Sequence, residues 1–387
     1  MSRLNELIQS ICPNGIEYKN LKDVLSIERG KRVVKKQLSE VHGYPVYQNS
    51  LTPLGLYVEY NCPENTAFVI MAGAAGEIGY SRERFWAADD CFAIVCPSSI
   101  CSKYIYHVLL NEQMVLKRNV RKASIPRLSR DTLECLKIPL PPLAVQQEIV
   151  RILDSFTELT AELTAELTAR RKQYEHYRDE LLSVGGDFKT YPLGEVTEFI
   201  RNGYNYKADG DRSKTYKISR IETISTGVIN MERVGSSEQI NERYLLQDGD
   251  ILFSHINSLP YLGNVAYYTE NLGKLYHGMN LLCFRAKKEL VIPKYLYYVL
   301  KSNNIRKLVN RYAKQSCNQY SLTTSDIKSW TIPLPSLEQQ EDIVSVLDRF
   351  DAICNDLTSG LLAEITARQK QYEYYRDKLL TFKELER

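Results

Sequence analysis

The chain has 387 residues, of which 44% are hydrophobic and 25% charged, a balance typical of a soluble globular protein with two or three domains. Its net charge of +3 neither requires nor excludes a nucleic-acid partner, and no apolar run approaches the roughly 18 residues of a membrane span. The N-terminal segment MSRLNELIQS lacks the hydrophobic core of a signal peptide, so we expect a cytoplasmic protein with no membrane contact. The nine cysteines are expected to be reduced thiols, and the five-residue spacing of Cys91, Cys96 and Cys101 does not match a zinc motif.

Two copies of one segment divide the chain. Residues 138–182 begin IPLPPLAVQQEIVRILDSF and end KQYEHYRDELL, and residues 332–380 begin IPLPSLEQQEDIVSVLDRF and end KQYEYYRDKLL. Each copy follows a longer stretch of unrelated-looking sequence. Because an internal repeat sets the architecture, we predict four segments. These are a first variable block within residues 1–137, a spacer helix at 138–184, a second block within 185–331 and a second spacer helix at 332–387.

Both variable blocks are predicted to have the same mixed fold of helices and strands. Short β-type runs, such as NTAFVIMAG and CFAIVCP in the first block and GDILFSHI and LLCFRA in the second, alternate with turns rich in Gly, Asn and Asp. Helical patterns occupy residues 103–116 and 293–308. Leu128 and Ile138 have the same spacing as Leu322 and Ile332, which supports one shared fold.

Basic and amide side chains cluster near the beginning and the end of both blocks. Arg and Lys neutralise DNA phosphates, whereas Asn, Gln and Arg read base edges, so mixed clusters are typical of a duplex reader. A single basic run is usually only solvated surface, but the recurrence in both blocks favours DNA binding. The wider clusters contain Lys117, Arg118, Arg121, Arg127, Arg130, Arg311 and Gln319. The predicted DNA-binding residues are Arg29, Lys31, Arg32, Lys35, Lys36, Gln48, Asn49, Lys122, Arg201, Asn202, Tyr204, Asn205, Lys207, Arg220, Lys314, Gln315 and Asn318.

Each repeat copy is predicted to form a helix of about 35 to 40 residues, because its apolar residues recur at steps of three, four and seven. A helix with such a stripe needs a partner. The simplest partner is the other copy, in a two-stranded coiled coil, and the alternative is a pair of ordinary core helices. The predicted seam consists of Ile149, Phe156, Leu163, Tyr174, Tyr177, Leu181, Ile343, Phe350, Leu357, Tyr372, Tyr375 and Leu379.

A tandem tetrapeptide, TELTAELTAELTAR, begins at Thr157 in the first copy, whereas the second copy is four residues longer in this region. One four-residue unit adds about one helical turn and about 6 Å of rise, which equals at most about two base pairs of duplex DNA. Such units are natural length adjusters for a helix.

The sequence contains no motif for catalysis. It lacks the phosphate-binding GxxxxGK[ST] loop, the Asn/Asp-Pro-Pro-Tyr/Phe motif of amino-methyltransferases and a His-Glu-x-x-His metal motif. Gly73, Gly76 and Gly79 lack the strand–GxGxxG–helix context of a cofactor loop, and the segment MAGAAGEIG that contains them is interpreted as a strand-to-turn segment. His255 and His277 are interpreted as packing or DNA-facing residues. We therefore predict no catalytic residue, metal site or cofactor in this chain; the alternative is an unrecognised nuclease or methylase centre in the second block.

The chain resembles, over essentially its whole length, the specificity (S) subunits of type I restriction-modification enzymes. The resemblance rests on the variable–repeat–variable–repeat order, the IPLP heads with their QQ and IV pairs, the KQYEHYRDELL and KQYEYYRDKLL helix ends, and the block openings NLKDV and PLGEV. The TAEL units resemble those of the type IC subgroup. The implied fold is α+β, with two mixed α/β target-recognition domains separated by two long helices. The helices would pack as an antiparallel coiled coil with a pseudo-twofold internal repeat.

The resemblance also implies a function. Each recognition domain would read one half of a bipartite duplex DNA site, and the spacer helices would set the gap and dock two methyltransferase (M) subunits. S-adenosylmethionine would belong to the M subunits, and ATP and Mg²⁺ to the motor-nuclease (R) subunits. The alternative is a coiled-coil protein-interaction scaffold without DNA specificity, which predicts no salt-sensitive DNA affinity.

Overall fold

A computed structural model describes residues 2–183, 188–205, 216–316, 319–355 and 360–385. The chain forms two compact units. Unit 1 joins Met1–Thr164 to Glu364–Arg387, and unit 2 comprises Ala165–Ala363. Each unit therefore contains one variable block, the beginning of one repeat copy and the end of the other.

Short strands and helices alternate in the first half of the chain until one long helix begins. In order, they are α1 (Ser2–Ile11), β1 (Tyr18–Asn20), α2 (Leu21–Val24), β2 (Ser26–Arg29), β3 (Tyr44–Tyr47), β4 (Leu56–Tyr57), β5 (Thr66–Ile70), β6 (Ile78–Ser81), β7 (Trp86–Ala87), β8 (Cys91–Val95), α3 (Ser102–Asn111), α4 (Gln113–Arg118), α5 (Arg130–Glu134), β9 (Lys137–Pro139) and α6 (Leu143–Ser183).

The second half repeats this plan with additional strands. Its elements are β10 (Thr190–Pro192), α7 (Leu193–Val196), β11 (Thr197–Asn202), β12 (Tyr216–Ser219), β13 (Gly235–Ser237), β14 (Ile251–Ser254), β15 (Ile256–Asn257), β16 (Val265–Tyr267), β17 (Tyr276–His277), β18 (Leu281–Ala286), α8 (Pro293–Leu300), α9 (Asn303–Tyr312), β19 (Lys314–Ser316), β20 (Gln319–Ser321), α10 (Thr324–Ser329), β21 (Thr331–Pro333), α11 (Leu337–Asn355) and α12 (Leu361–Leu380).

Both predicted helical stretches of the blocks are two helices rather than one. The first divides into α3 and α4 at Glu112, and the second divides into α8 and α9 at Lys301 and Ser302. The Oγ of Ser302 accepts a hydrogen bond from the backbone N–H of Ile305 at 3.4 Å. This N-cap begins a new helix where the apolar periodicity alone suggested continuation.

The centre of unit 1 is a four-stranded antiparallel sheet in the order β2-β8-β5-β6. All five residues of β5 are buried, so this strand is covered on both faces. Ala67 and Val69 belong to the apolar cluster that also contains the α3 side chains, whereas Phe68 and Ile70 belong to a cluster on the other face. This alternation follows from the two-residue side-chain period of a strand.

Unit 2 has the equivalent sheet in the order β11-β18-β14-β16, again antiparallel. Phe253 and Phe284 point into the cluster that contains α8, whereas Leu252 and Cys283 point into a second cluster. The two blocks therefore share a mixed fold around the same sheet order, as the matched spacing of their last strands predicted.

The Pro-rich heads end a strand and begin the repeat helix in both units. β1 pairs with β9, and β10 pairs with β21, so that each block is closed by an antiparallel pair. The helices α6 and α11 begin directly after these heads. Tyr104 donates its hydroxyl to the carbonyl of Pro139 at 3.1 Å, and Tyr295 does the same to Pro333 at 3.0 Å.

A buried glutamine joins each repeat helix to the main helix of its block. In unit 1 the Gln146 Oε1 accepts from the N–H of Cys101, the N-cap of α3, and its Nε2 donates to the carbonyl of Pro141, both at 2.8 Å. In unit 2 the Gln340 Oε1 accepts from the N–H of Ile292, the N-cap of α8, at 2.8 Å, and its Nε2 donates to the Pro335 carbonyl at 2.9 Å. Only one residue of each QQ pair is buried, and the exposed Gln339 instead accepts a hydrogen bond from the Ser336 N–H at 3.1 Å.

The first repeat copy is one helix, α6, of 41 residues. The second copy is described as two helices, α11 of 19 residues and α12 of 20. The prediction of a single helix of about 35 to 40 residues therefore holds for the first copy. In the second copy, Gly360 forms a bend just before α12.

The repeat copies exchange partners in the same way in both units. In unit 1, Phe156 of α6 stacks on Tyr375 of α12 with ring centroids 5.3 Å apart. In unit 2, Phe350 of α11 stacks on Tyr177 of α6 with centroids 5.8 Å apart. The beginning of one copy thus meets the end of the other, as in an antiparallel pair of helices.

The predicted seam residues differ in their surroundings. Ile149 and Leu379 pack within the cluster of unit 1 that contains the block, and Tyr174 and Ile343 do so in unit 2. The most buried leucines of the stripe, Leu153 and Leu347, were not in the predicted seam. Phe156, Leu163, Leu181, Phe350, Tyr372 and Tyr375 are half-buried, Tyr177 is 40% exposed, and Leu357 lies outside the described residues.

Replacement of the buried glutamine should destabilise unit 1. We expect Gln146→Ala to lower the free energy of unfolding by about 1–3 kcal/mol, because the Cys101 N–H and the Pro141 carbonyl lose their partner. The exposed neighbour provides the control, and Gln147→Ala should change this free energy by no more than about 0.5 kcal/mol. Urea denaturation checks both variants, and equal stability of the two would contradict the structural role of Gln146.

The aromatic contact of unit 2 should also contribute to stability. We expect Phe350→Ala to lower the free energy of unfolding by about 1–3 kcal/mol, because this half-buried ring packs against Tyr174 and Tyr177. Arg349→Ala, at an exposed neighbouring position, is the matched control. If both variants unfold at the same urea concentration as the parent chain, the ring stack does not hold the helices together.

Candidate nucleic-acid interface

The first basic cluster of unit 1 is organised by the turn between β7 and β8. Arg29, the last residue of β2, donates its Nε to the carbonyl of Asp89 at 3.0 Å. The backbone N–H of Lys31 donates to the carbonyl of Ala87 at 2.9 Å. Gln48 donates its Nε2 to the Oδ1 of Asp89 at 3.4 Å. This turn therefore brings together three predicted residues from two distant stretches of sequence.

The remaining cations of this cluster lie on the surface. Lys31, Arg32, Lys35 and Lys36 are all exposed, and the last two lie in the short 3₁₀ helix Lys35–Gln37. Among the described residues, none of these four side chains forms an ion pair. Such cations are available to an external anion.

Asn49 and the segment that contains Lys122 meet at Gly73. The N–H of Ala74 donates to the carbonyl of Asn49 at 2.9 Å, and the N–H of Gly73 donates to the carbonyl of Pro126 at 3.1 Å. Gly73 has a φ of +82°, and a Cβ at this position would lie 2.9 Å from the Cβ and the carbonyl oxygen of Asn49. The glycine thus serves as a turn residue at a close approach, as the sequence predicted.

The segment that contains Pro126 is a loop closed by one antiparallel β-bridge between Arg121 and Arg127, which we call ribbon 1 (residues 121–127). Arg121 and Arg127 exchange two backbone hydrogen bonds of 2.8 and 3.2 Å. Lys122 is exposed within it. Ribbon 1 contains the predicted residue Lys122 and two arginines that the predicted set omits.

The first cluster of unit 2 is partly internal. The guanidinium of Arg201 lies over the ring of Phe199, 3.9 Å from its centroid, and donates to the carbonyl of Arg243. Asn202 accepts the N–H of Gly203 through its Oδ1 at 2.9 Å. The backbone N–H of Tyr204 donates to the carbonyl of His277 at 3.0 Å.

The other predicted residues of unit 2 differ in availability. Asn205 is exposed, and Lys207 lies outside the described residues. The Nε of Arg220 lies 3.3 Å from a carboxylate oxygen of Glu222, which partly neutralises the positive charge. Arg201 and Arg220 are therefore less available to phosphates than the exposed lysines of unit 1.

The last predicted residues belong to a second ribbon, ribbon 2, formed by β19 and β20, of which β20 also pairs with β15. Lys314 and Gln315 lie in β19 and are exposed, and Asn318 lies outside the described residues. Gln319, which the predicted set omits, is an exposed residue of β20.

The two histidines of the second block are neutral packing residues. His255 and His277 are 6% and 1% exposed, and burial lowers the pKa of each to about 4. For His277 the nearby positive charge of Arg201 lowers the pKa further. Neither ring carries a positive charge at neutral pH, so neither attracts a phosphate electrostatically.

The described part of the chain contains no group of three or more His, Cys, Asp or Glu side chains placed to hold a metal ion. Cys91 is fully buried, and burial raises the pKa of its thiol. Within the same residues, no helix is long and apolar enough to cross a membrane.

Comparisons with known proteins agree with this arrangement of two equivalent units. Residues 13–170 and 185–367 match the family model of the type I restriction modification DNA specificity domain. A putative type I restriction enzyme specificity subunit of Haemophilus influenzae is 30% identical, and the alignment covers 95% of this chain and 96% of that protein. The EcoR124I/EcoR124II specificity subunit of Escherichia coli is 29% identical over 95% of this chain and 89% of its own length.

Solved structures share the fold. The S subunit of a type I restriction-modification system from M. genitalium gives a TM-score of 0.59 at 16% identity, covering 95% of this chain and 96% of that one. A chain from a structure of type I R-M complex assembly gives 0.60 at 16% identity, covering 95% and 98%. At this identity the likeness concerns the fold alone. Together with the family match over both blocks, it shows that the chain belongs to the type I restriction-modification specificity subunits and is the non-catalytic DNA specificity subunit of such a system.

Proposed function

We propose that each variable block is a target-recognition domain and that the two blocks read the two halves of one bipartite duplex DNA site. The observation that carries this proposal is the recurrence of one sheet order, β2-β8-β5-β6 and β11-β18-β14-β16, in two blocks with different surface side chains. A shared scaffold with different surfaces suits two readers of different sequences. The boundaries that we propose are residues 1–137 and 185–331 for the blocks and 138–184 and 332–387 for the spacers.

In this proposal, cationic side chains contact the phosphates and amide side chains contact the bases. Lys31, Arg32, Lys35 and Lys36 in unit 1, and Lys314 in unit 2, are exposed cations that can neutralise phosphates. Gln48, Asn49, Asn205 and Gln315 carry amides that can pair with base edges. Arg29, Arg201 and Arg220, which are bonded within the units, would orient neighbouring residues as well as contribute charge.

The spacer helices would set the gap between the half-sites and dock two methyltransferase (M) subunits. The TAEL units resemble those of the type IC subgroup and support assignment to a type IC-like subgroup. They lie on α6 between its two aromatic contacts, at Phe156 and Tyr177. A unit could be added or removed there without loss of either contact. The exposed apolar residues Val346 and Ile353 of α11 also support a protein partner on these helices.

Catalysis would reside in the partner subunits, in the cytoplasm. The M subunits would supply S-adenosylmethionine and methylate one adenine on each strand, and motor-nuclease (R) subunits would supply ATP and Mg²⁺ for cleavage. The competing function is a scaffold that binds proteins alone. The two functions differ in their response to salt, because only a duplex reader loses affinity steeply as counterions are added.

DNA binding should depend strongly on salt. We expect the complex of the chain with its M subunits to lose duplex affinity as salt rises, with a log–log slope of about −0.9 for each phosphate contact. The triple variant Lys31→Gln, Arg32→Gln and Lys122→Gln should bind more weakly, with a shallower slope. Lys22→Gln, an exposed cation outside the clusters, should keep the parent slope. Salt-independent affinity, measured by fluorescence anisotropy, would favour the scaffold.

The length of α6 should determine the gap. Deletion of residues 164–167, one tandem unit, shortens the helix by about 6 Å and rotates its end by about 40°. We therefore expect both half-sites to persist, and the gap between them to become shorter by about one to two base pairs. The double variant Thr164→Ala with Glu166→Gln keeps the length and should keep the gap. Mapping of methylated adenines after co-expression with the M subunit measures the gap, and an unchanged gap in the deletion variant would contradict the proposal.

A further inference from the structure

Both units place a short antiparallel ribbon at the same point of the fold. The N–H of Leu128, directly after ribbon 1, donates to the carbonyl of Met71 at 2.8 Å, and the N–H of Leu322, directly after ribbon 2, donates to the carbonyl of His255 at 2.9 Å. Met71 and His255 each follow the central strand of their sheet. Both leucines are buried. The ribbons are therefore anchored identically, while their side chains differ.

The outward face of ribbon 2 follows from its register. β19 and β20 pair Lys314 with Ser321, Gln315 with Tyr320, and Ser316 with Gln319. Cross-strand partners lie on one face. Tyr320 packs against the core cluster of unit 2, so Gln315 shares the core-side face. Lys314, Ser316 and Gln319 lie on the opposite face and are exposed.

Ribbon 1 has its outward face in the equivalent position. Leu128 points into the core, so Arg127, one residue earlier, points away from it. Arg121 is the cross-strand partner of Arg127 and shares its face. Both arginines are exposed, and neither forms an ion pair with a described carboxylate. Two exposed arginines thus occupy paired positions on one face of ribbon 1.

The shape and chemistry of these faces suit direct reading of DNA. The major groove admits a two-stranded β ribbon as well as an α helix. Arginine pairs through two hydrogen bonds with the O6 and N7 of guanine, and glutamine pairs in the same manner with the N6 and N7 of adenine. A ribbon with an outward Arg pair and a ribbon with an outward Gln therefore differ in the base that each would select.

We propose that the two ribbons are the base-reading elements of the chain. Arg121 and Arg127 of ribbon 1 contact guanine in one half-site, and Gln319 of ribbon 2 contacts adenine in the other, both in the major groove. The basic residues near β2 hold the duplex in register without selecting a base. This inference rests on the proposed function, since it specifies which side chains of each recognition domain select the sequence.

Selection from a library of random duplexes tests ribbon 2. The probe is bound to the complex of the full chain with its M subunit, and the bound duplexes are sequenced. Gln319→Ala should relax the requirement for adenine at one position of one half-site, with a loss of discrimination of about 5- to 100-fold. Gln247→Ala, at an exposed position of the same unit outside the ribbon, is the matched control and should keep the parent motif.

Two variants of Arg127, of which only one keeps the positive charge, test ribbon 1. Arg127→Ala should relax a guanine in the half-site that Gln319→Ala leaves unchanged. Arg127→Lys keeps the charge but loses the two-pronged geometry, so it should restore affinity with less recovery of guanine discrimination. If Arg127→Ala weakens binding equally for every sequence and Arg127→Lys restores it fully, the arginine contacts phosphate only and the inference is wrong.

Different results would contradict the proposed function and the assignment of the ribbons. Selection of no motif by the parent complex, together with salt-independent binding, would overturn the proposed function itself. A bipartite motif in the parent that persists unchanged in Gln319→Ala and Arg127→Ala would overturn only the assignment of the ribbons. Circular dichroism of each variant checks that these exposed substitutions leave the fold intact.

Discussion

Each unit depends on one buried glutamine at the beginning of its repeat helix. Gln146 and Gln340 are 2% and 0% exposed, and both ends of each amide are bonded. The oxygen holds the N-cap of the block's main helix, and the nitrogen holds a proline carbonyl of the Pro-rich head. A buried amide is costly unless it is fully bonded, so this contact ties the beginning of the spacer helix to the main helix of the block.

The exchange of helix partners begins a short distance beyond these glutamines. Phe156 and Phe350 lie at equivalent places, ten residues beyond the buried glutamines, and stack on Tyr375 and Tyr177 from the ends of the opposite copies. Each block is thus held by both copies. The tandem units lie in the stretch of α6 that neither contact occupies, which explains why a length adjuster can be accommodated there.

The cations of the candidate DNA surface fall into two groups, those bonded within their own unit and those exposed to solvent. Arg29, Arg201 and Arg220 are bonded to carbonyls or a carboxylate of their own unit, whereas Lys31, Arg32, Arg121 and Arg127 are exposed and form no ion pair with a described residue. A cation that is already paired gains little from a phosphate, because binding must first break its internal contact. The free cations and the ribbons are therefore the parts of each block that can respond to DNA.

Some features of this chain follow from its sequence alone, and others depend on its tertiary structure. The duplication, the shared α+β plan of the blocks and the long first helix follow from local periodicity and spacing, and the structure has all three. The division of the block helices at Glu112 and Ser302 was not predicted, because a single cap can end a helix within an apolar pattern. The predicted DNA-binding residues include side chains with very different surroundings, since residue type alone does not distinguish Arg201, packed on Phe199, from the exposed Lys31.

The sequence by itself determined the order of blocks and repeats, the apolar stripe of the spacer helices and the type of residue available to contact DNA. Only the tertiary structure decided which glutamine of each QQ pair is buried, which repeat end packs on which repeat beginning, and which face of each ribbon points outward. These features depend on contacts between residues far apart in the chain. The faces of a ribbon depend most strongly on such contacts, because a shift of β20 by one residue would move Gln319 to the face that Tyr320 occupies.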